Sequence, residues 1–197
     1  MLSPIFAVLF IALAYFYAPK ILKYRKVLTY GVWGVLALEI ILRNAPFMAP
    51  FVKGFIGYAL FFVVAITGAL PPKWTLTKRL FSVRGMYSIL GFVLLTAHPI
   101  FYASEILTGT REIPWYGVIS YVVMIPLWIT SYISVRKKMT PQNWKKLQRF
   151  AYVSYVLMFV HLIVNASSPQ NRVVAIAMAV IYGILKLIHT FVWRKQK

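Results

Sequence analysis

The sequence predicts an all-α integral membrane protein, a bundle of about seven transmembrane helices, and three observations predict it. Hydrophobic residues make up 61% of the 197 residues and aromatic residues 17%, with a mean hydropathy of +0.74, well above the apolar content of soluble domains. Apolar runs recur along the chain at lengths near the roughly 20 residues that cross about 30 Å of hydrocarbon. The connections between the runs are short and alternate between strongly basic and nearly uncharged, as loops on opposite sides of a membrane do.

The runs fall at residues 3–18, 27–42, 51–70, 85–106, 114–135, 150–165 and 173–192. The first two are the shortest. In the first, the positive charges follow the apolar stretch and no small-residue cleavage site succeeds it, so it reads as a retained span rather than a signal peptide. Lys20, Lys23, Arg25 and Lys26 separate spans one and two; Lys73, Lys78, Arg79 and Arg84 separate three and four. Arg136, Lys137, Lys138, Lys145, Lys146 and Arg149 lie between five and six, and Arg194, Lys195 and Lys197 follow the seventh. The other side carries only Arg43, Lys53, Arg111 and Arg172. Because Lys and Arg collect in cytoplasmic loops, the N-terminus is expected outside and the C-terminus in the cytoplasm of a multi-pass cell-membrane protein.

The net charge of +19 is distributed over these loops, which suits topology and anionic lipid headgroups and argues against nucleic acid as a partner. With no cysteine in the chain, disulfides, thiolate-ligated iron–sulfur clusters and the usual cysteine zinc sites are excluded. There is no GxGxxG after a strand and no room for a flavoprotein reductase domain, so a nicotinamide cofactor is not oxidised by these residues alone. No tandem repeat or low-complexity linker divides the chain.

Ionisable groups at bilayer depth cost several kcal/mol unless paired, ligated or wetted, so they are the first candidates for function. His98, Glu39, His161, Lys186 and His189 qualify. Spans four and six run in the same direction, and His98 and His161 fall at similar depth in the outer half of the bilayer. Two neutral imidazoles facing each other across a helical bundle are suited to be the axial ligands of a haem iron. The competing reading is that each only hydrogen-bonds a neighbouring helix. Glu39 has Arg43 at i+4 as a candidate partner. Lys186 and His189 read as an inner-boundary pair facing headgroups, Glu105 and Glu112 as edges of outer loops, and the many Tyr and Trp residues as interfacial belts.

The ordered pieces resemble a known family. Lys78-Arg79-Leu80-Phe81-Ser82-Val83-Arg84-Gly85 leads into the span that reaches His98, and Trp144-Lys145-Lys146-Leu147-Gln148-Arg149-Phe150-Ala151-Tyr152 precedes His161. Together they are similar to the ferric-reductase-like transmembrane domain, most closely its small bacterial MsrQ-like branch, over residues 27–193, or six of the seven spans. The resemblance implies a haem-binding domain at residues 27–197 preceded by an extra helix and basic loop at residues 1–26. Larger members place a second histidine pair about one haem layer inward. Those positions here hold Arg84 and Gln148, neither a usual haem ligand, so the resemblance implies one haem b.

The function so implied is a membrane electron-transfer subunit, the haem component of an oxidoreductase. A separate flavin, flavoprotein or quinol donor supplies it, and an extracytoplasmic acceptor protein or ferric iron receives the electrons. With no inner haem, the electrons come either from an FMN or quinone in the cytoplasmic half, near Gln148, Arg84 and Arg149, the two arginines suiting a phosphate, or from a source on the outer side. Anchoring at the inner boundary explains the same arginines. The alternative function is a haem-free transporter or membrane assembly factor.

Overall fold

A computed structural model describes residues 2–193; Arg194, Lys195 and Lys197, assigned above to the basic side, lie outside the described residues. The described chain is helical throughout, with no strand. The elements are α1 (Ser3–Lys23), α2 (Arg25–Ile41), a 3-10 turn (Pro46–Met48) leading into α3 (Ala49–Val52), α4 (Phe55–Thr67), α5 (Thr75–Leu107), α6 (Trp115–Ile129), α7 (Ile133–Arg136), α8 (Pro141–Gln148), α9 (Ala151–Val164) and α10 (Pro169–Phe191).

These elements form an all-α membrane bundle. Four helical segments are long and apolar enough to cross a bilayer: Ser3–Lys23, Thr75–Leu107, Pro141–Val164 and Pro169–Phe191. The pair Pro46–Val52 and Phe55–Thr67, bent by 40°, makes a fifth if it is one broken span. Helices α2 and α6, at 17 and 15 residues, are shorter than the roughly 20 residues that a straight crossing needs. Length and apolarity alone therefore account for four of the seven spans read from the sequence, or five with the bent pair taken as one.

Local chemistry explains where the boundaries differ. The break between α1 and α2 is the single residue Tyr24. Helix α5 runs 33 residues because the basic segment before Gly85 is also helical, as good helix-forming Lys, Arg and Leu allow. The span read at 114–135 ends at Ile129 instead. Pro126 deprives the helix of one N–H, and the Thr130 and Ser131 hydroxyls fold back on the carbonyls of Pro126 and Leu127, at 2.7 and 2.8 Å, which favours a turn there. Helix α10 begins four residues earlier than the apolar run, since Ser168 accepts from the Asn171 backbone N–H and Pro169 occupies the first turn, an N-terminal signature.

Helix α4 occupies the middle, buried from Ile56 to Thr67 by α1, α5 and α10. It crosses α5 on two glycines. A Cβ on Gly57 would lie 2.9 Å from the Gly91 carbonyl oxygen and the Leu95 nitrogen, and one on Gly91 would lie 3.1 Å from Leu60 Cβ. Small residues bring the two backbones together, the usual device of helix packing in lipid. Apolar side chains such as Ile5, Val8, Phe16, Val156, Val180 and Leu187 face outward, where hydrocarbon is their solvent.

The bundle has two parts. Helix α5 packs chiefly on α1, α2 and α4, and α9 on α6 and α10. Between α5 and α9 there is no extensive packing of helix on helix, so these two elements face each other across a seam. Gly57→Ala drives its methyl into backbone on α5 and is expected to lower stability by about 1–3 kcal/mol, whereas Gly34→Ala, with nothing within 4 Å, stays within about 1 kcal/mol of wild type. Thermal unfolding of the purified protein in detergent checks the contrast; equal effects at both positions would contradict the close crossing.

Candidate functional site

The seam brings His98 of α5 and His161 of α9 together, their ring centres 6.2 Å apart and their planes inclined by 80°. His98 is two turns along α5 from Gly91, so the glycine crossing sets its position. The helix break before α4 then delivers a partner: the carbonyl oxygen of Val52 lies 3.1 Å from His98 Nδ1. Gly54, at φ +71°, forms that break, and a Cβ there would stand 3.0 Å from Leu95 Cδ1 and 3.4 Å from His98 Cγ. Glycine is required twice over, for the left-handed backbone and for the approach of the imidazole.

His161 sits in the last turn of α9. Gly117 of α6 lies against its ring, and a Cβ there would come within 2.7 Å of Cε1 and Nδ1. The Asn165 amide is 3.3 Å from His161 Nδ1 and also donates to the His161 carbonyl at 3.0 Å. Because the same amide nitrogen donates to the carbonyl, it also faces His161 Nδ1 as a donor, whereas His98 Nδ1 faces a carbonyl oxygen and carries the proton itself. In both residues the hydrogen bonds engage Nδ1, and neither Nε2 has a hydrogen-bond partner among the described residues.

His98, with Nδ1 held by an oxygen acceptor and Nε2 without a partner among the described residues, is arranged as a metal-ligating imidazole usually is. Two imidazoles bound on opposite sides of one metal ion, each through a bond of about 2 Å, have ring centres roughly 6 Å apart, which matches the observed separation. Among the described residues there is no group of three or more His, Asp or Glu side chains, so the pair does not belong to a zinc-type ligand set. A haem asks the protein for only two axial ligands and an apolar slot. The facing imidazoles of the α5–α9 seam are a donor set of that kind.

The other sequence candidates gather at the basic end. Arg84, Gln148 and Arg149 line one cavity of about 990 Å³, together with Arg25, Lys26, Arg136 and Lys145 and the rings of Trp128, Tyr132 and Tyr155. No acidic side chain lines it. Gln148 is not free: its Nε2 donates to Thr130 Oγ1 at 3.2 Å and to the Leu127 carbonyl at 3.4 Å, tying α8 to the end of α6. Arg84 lies over the Phe81 ring at 5.3 Å.

Three readings of polar residues change. Glu39 does not pair with Arg43; it is completely buried, and neither carboxylate oxygen has a partner. Helix α2 ends at Ile41, so the i+4 geometry the pairing needs is lost before Arg43. Lys186 and His189 do not simply face headgroups. Lys186 Nζ donates to the Gly68 carbonyl at 3.2 Å and to Tyr152 Oη at 2.9 Å, and His189 Nδ1 lies 3.2 Å from the Leu70 carbonyl. Both bind α10 to the carbonyl end of α4, where helix dipole and unpaired carbonyls favour cations and donors. The aromatic residues are not all interfacial either: Phe92 stacks between Tyr121, at 5.0 Å, and Trp128, at 4.6 Å.

Fold and site define a helical membrane protein with a facing histidine pair in an internal seam and a cationic cavity at its basic end. No protein-family model matches the chain, and no solved structure does. It is similar to the magnetosome protein MamZ of Magnetospirillum gryphiswaldense, 28% identical over 165 residues, which cover 78% of this chain and 25% of that one. The magnetosome protein MamZ of Paramagnetospirillum magneticum is 27% identical over the same length and shares. An uncharacterized protein of Treponema pallidum is 25% identical over 123 residues, 56% of this chain and 34% of its own. The chain thus spans about a quarter of the length of the magnetosome proteins it matches.

The Lys186 contacts carry a stability prediction. Lys186→Met keeps an apolar stem but removes both hydrogen bonds, and is expected to cost about 1–3 kcal/mol. Thermal unfolding reads the loss, and Tyr152→Phe, which removes one of the two bonds, should show a smaller part of it.

Proposed function

We propose that this chain is a haem b electron-transfer subunit of the cell membrane, of the ferric-reductase-like, MsrQ-like kind. The observation that carries the reading is the facing pair of imidazoles, 6.2 Å apart, each with Nδ1 engaged and Nε2 free. His98 and His161 would hold the iron. The haem supplies a one-electron carrier at a fixed place in the bilayer.

The protein's own residues have separate tasks. The Val52 carbonyl orients His98 and raises the donor strength of its Nε2 by accepting from Nδ1. Gly54 and Gly117 let the two rings stand where a Cβ would displace them. At the basic end, the cavity beside Arg84 and Arg149 is the proposed place for the electron donor, an FMN or a quinone. A separate flavoprotein or quinol replenishes it, and an extracytoplasmic acceptor protein or ferric iron takes the electron at the other side. In this reading all seven runs cross the bilayer, α2 and α6 as short spans, with the N-terminus outside and the C-terminus in the cytoplasm.

Purified from haem-replete cells, the protein should have a Soret band and sharp reduced α and β bands, with one haem per chain by pyridine haemochrome assay. A colourless preparation would end the reading. His98→Ala and His161→Ala should each remove most of the haem, His189→Ala almost none, because only the first two face each other across the seam. Gly117→Ala, with its methyl 2.7 Å from the His161 ring, should lower haem content several-fold while leaving the helical content unchanged by circular dichroism.

Orientation is tested independently. As the chain has no cysteine, Lys138→Cys and Arg172→Cys give single labelling sites. A membrane-impermeant maleimide applied to intact cells should reach the second and not the first.

A further inference from the structure

At the end of α5 the chain turns back on itself and brings a guanidinium over Tyr102, the ring that meets His98. Gly109, at φ +71°, ends the helix, and the backbone nitrogens of Thr110 and Arg111 both donate to the Glu105 carbonyl, at 3.0 and 3.2 Å. Thr110 Oγ1 donates to the same oxygen at 2.9 Å. The turn is therefore held by several bonds to one carbonyl, and Arg111 leaves it in a defined direction.

Its side chain is braced on two sides. Arg111 Nη1 donates to Glu105 Oε2 at 3.1 Å, and the guanidinium lies 4.1 Å from the centre of the Tyr102 ring. Tyr102 in turn meets His98 edge to face, with ring centres 4.9 Å apart. Arg111 is thus an exposed side chain held in place by an ion pair and a ring, one ring removed from His98. A guanidinium has five N–H donors, and Glu105 takes one, so donors remain for an anion at the mouth of the seam.

We infer that Arg111, held by Tyr102 and Glu105, binds a propionate carboxylate of the haem at the outer edge of the seam. The inference rests on the haem reading above. A haem b macrocycle between α5 and α9 buries its apolar face, while its two propionates remain anionic and need water or a cation. Placed beside the pair, Arg111 meets one of them by a charge-assisted hydrogen bond, fixing the rotation of the macrocycle about the axis joining the two ligands. Arg111 is thus a positioning residue for the cofactor and takes no part in ligating iron.

The test separates this from the haem reading itself. Purified full-length protein is depleted of haem and reconstituted with haem b or with its dimethyl ester, which has the same ring and iron but no carboxylates; loss to a haem-scavenging globin is then timed. Wild type is expected to hold haem b on the order of tenfold to a hundredfold longer than the ester. Arg111→Gln should shorten haem b retention to that of the ester and leave the ester unchanged; Arg111→Lys should fall between. Arg172→Gln, which removes another outer-side cation, should behave as wild type. Equal retention of haem and ester by wild type would overturn the inference without needing any variant, as would discrimination that survives in Arg111→Gln or disappears equally in Arg172→Gln. If wild type binds neither compound, the haem reading falls and takes this inference with it.

Discussion

The approach of α4 to α5 at Gly57 and Gly91 is the contact on which the rest of the site depends. Lipid offers no hydrophobic gain for bringing apolar helices together, so close packing and interhelical hydrogen bonds must do it. Here two backbones touch because neither has a side chain between them. This fixes the rotation and height of α5 relative to the α3–α4 break, so that His98, two turns further on, finds the Val52 carbonyl at 3.1 Å and the open side of Gly54. A small rotation of α5 would remove both.

The second part of the bundle is joined to the first by polar contacts rather than by the same kind of crossing. Thr96 and Tyr121 pair at 2.8 Å between α5 and α6, and Lys186 and His189 fasten α10 to the carbonyl end of α4. In a bilayer such groups have no water to return to, so each bond carries specificity as well as modest stabilisation. Between these fastenings the α5–α9 seam remains bridged by side chains, the two imidazoles among them. A flat group fits such a seam more readily than an interface closed by helix-on-helix packing.

The membrane class, the helical fold and the two central histidines were legible in the sequence because each depends on one-dimensional signals: apolar length, alternating basic connections and rare ionisable residues in apolar runs. The residues that position those histidines were not. Gly54, Gly117 and Asn165 act through contacts with elements distant in the chain, and a glycine in an apolar run gives no indication of which face it opens. The span count also failed to transfer fully, since the Tyr24 break, the bend at Gly54 and the early end of α6 are decided by backbone geometry rather than by apolarity. Glu39 and Arg43 had the spacing of a helical pair, but the helix stops between them. His189 contacts the Leu70 carbonyl rather than a headgroup, a partner 119 positions away that no local pattern announces.

The polar residues at the basic end have structural partners of their own. Gln148 donates to Thr130 and Leu127 and closes the end of α6. Arg84 lines the cationic cavity and lies over the Phe81 ring. A histidine at 148 would lose the two bonds that Gln148 makes, and a guanidinium in the same cavity is a permanent cation that cannot ligate iron. On the proposed reading, electrons must then enter at the cavity and reach the outer seam without an inner haem between, and a cavity of about 990 Å³ lined by six cations and no carboxylate favours an anionic donor there. The charge pattern that orients the chain in the membrane and the chemistry of the donor site would then have the same origin, the arginines and lysines of the cytoplasmic connections.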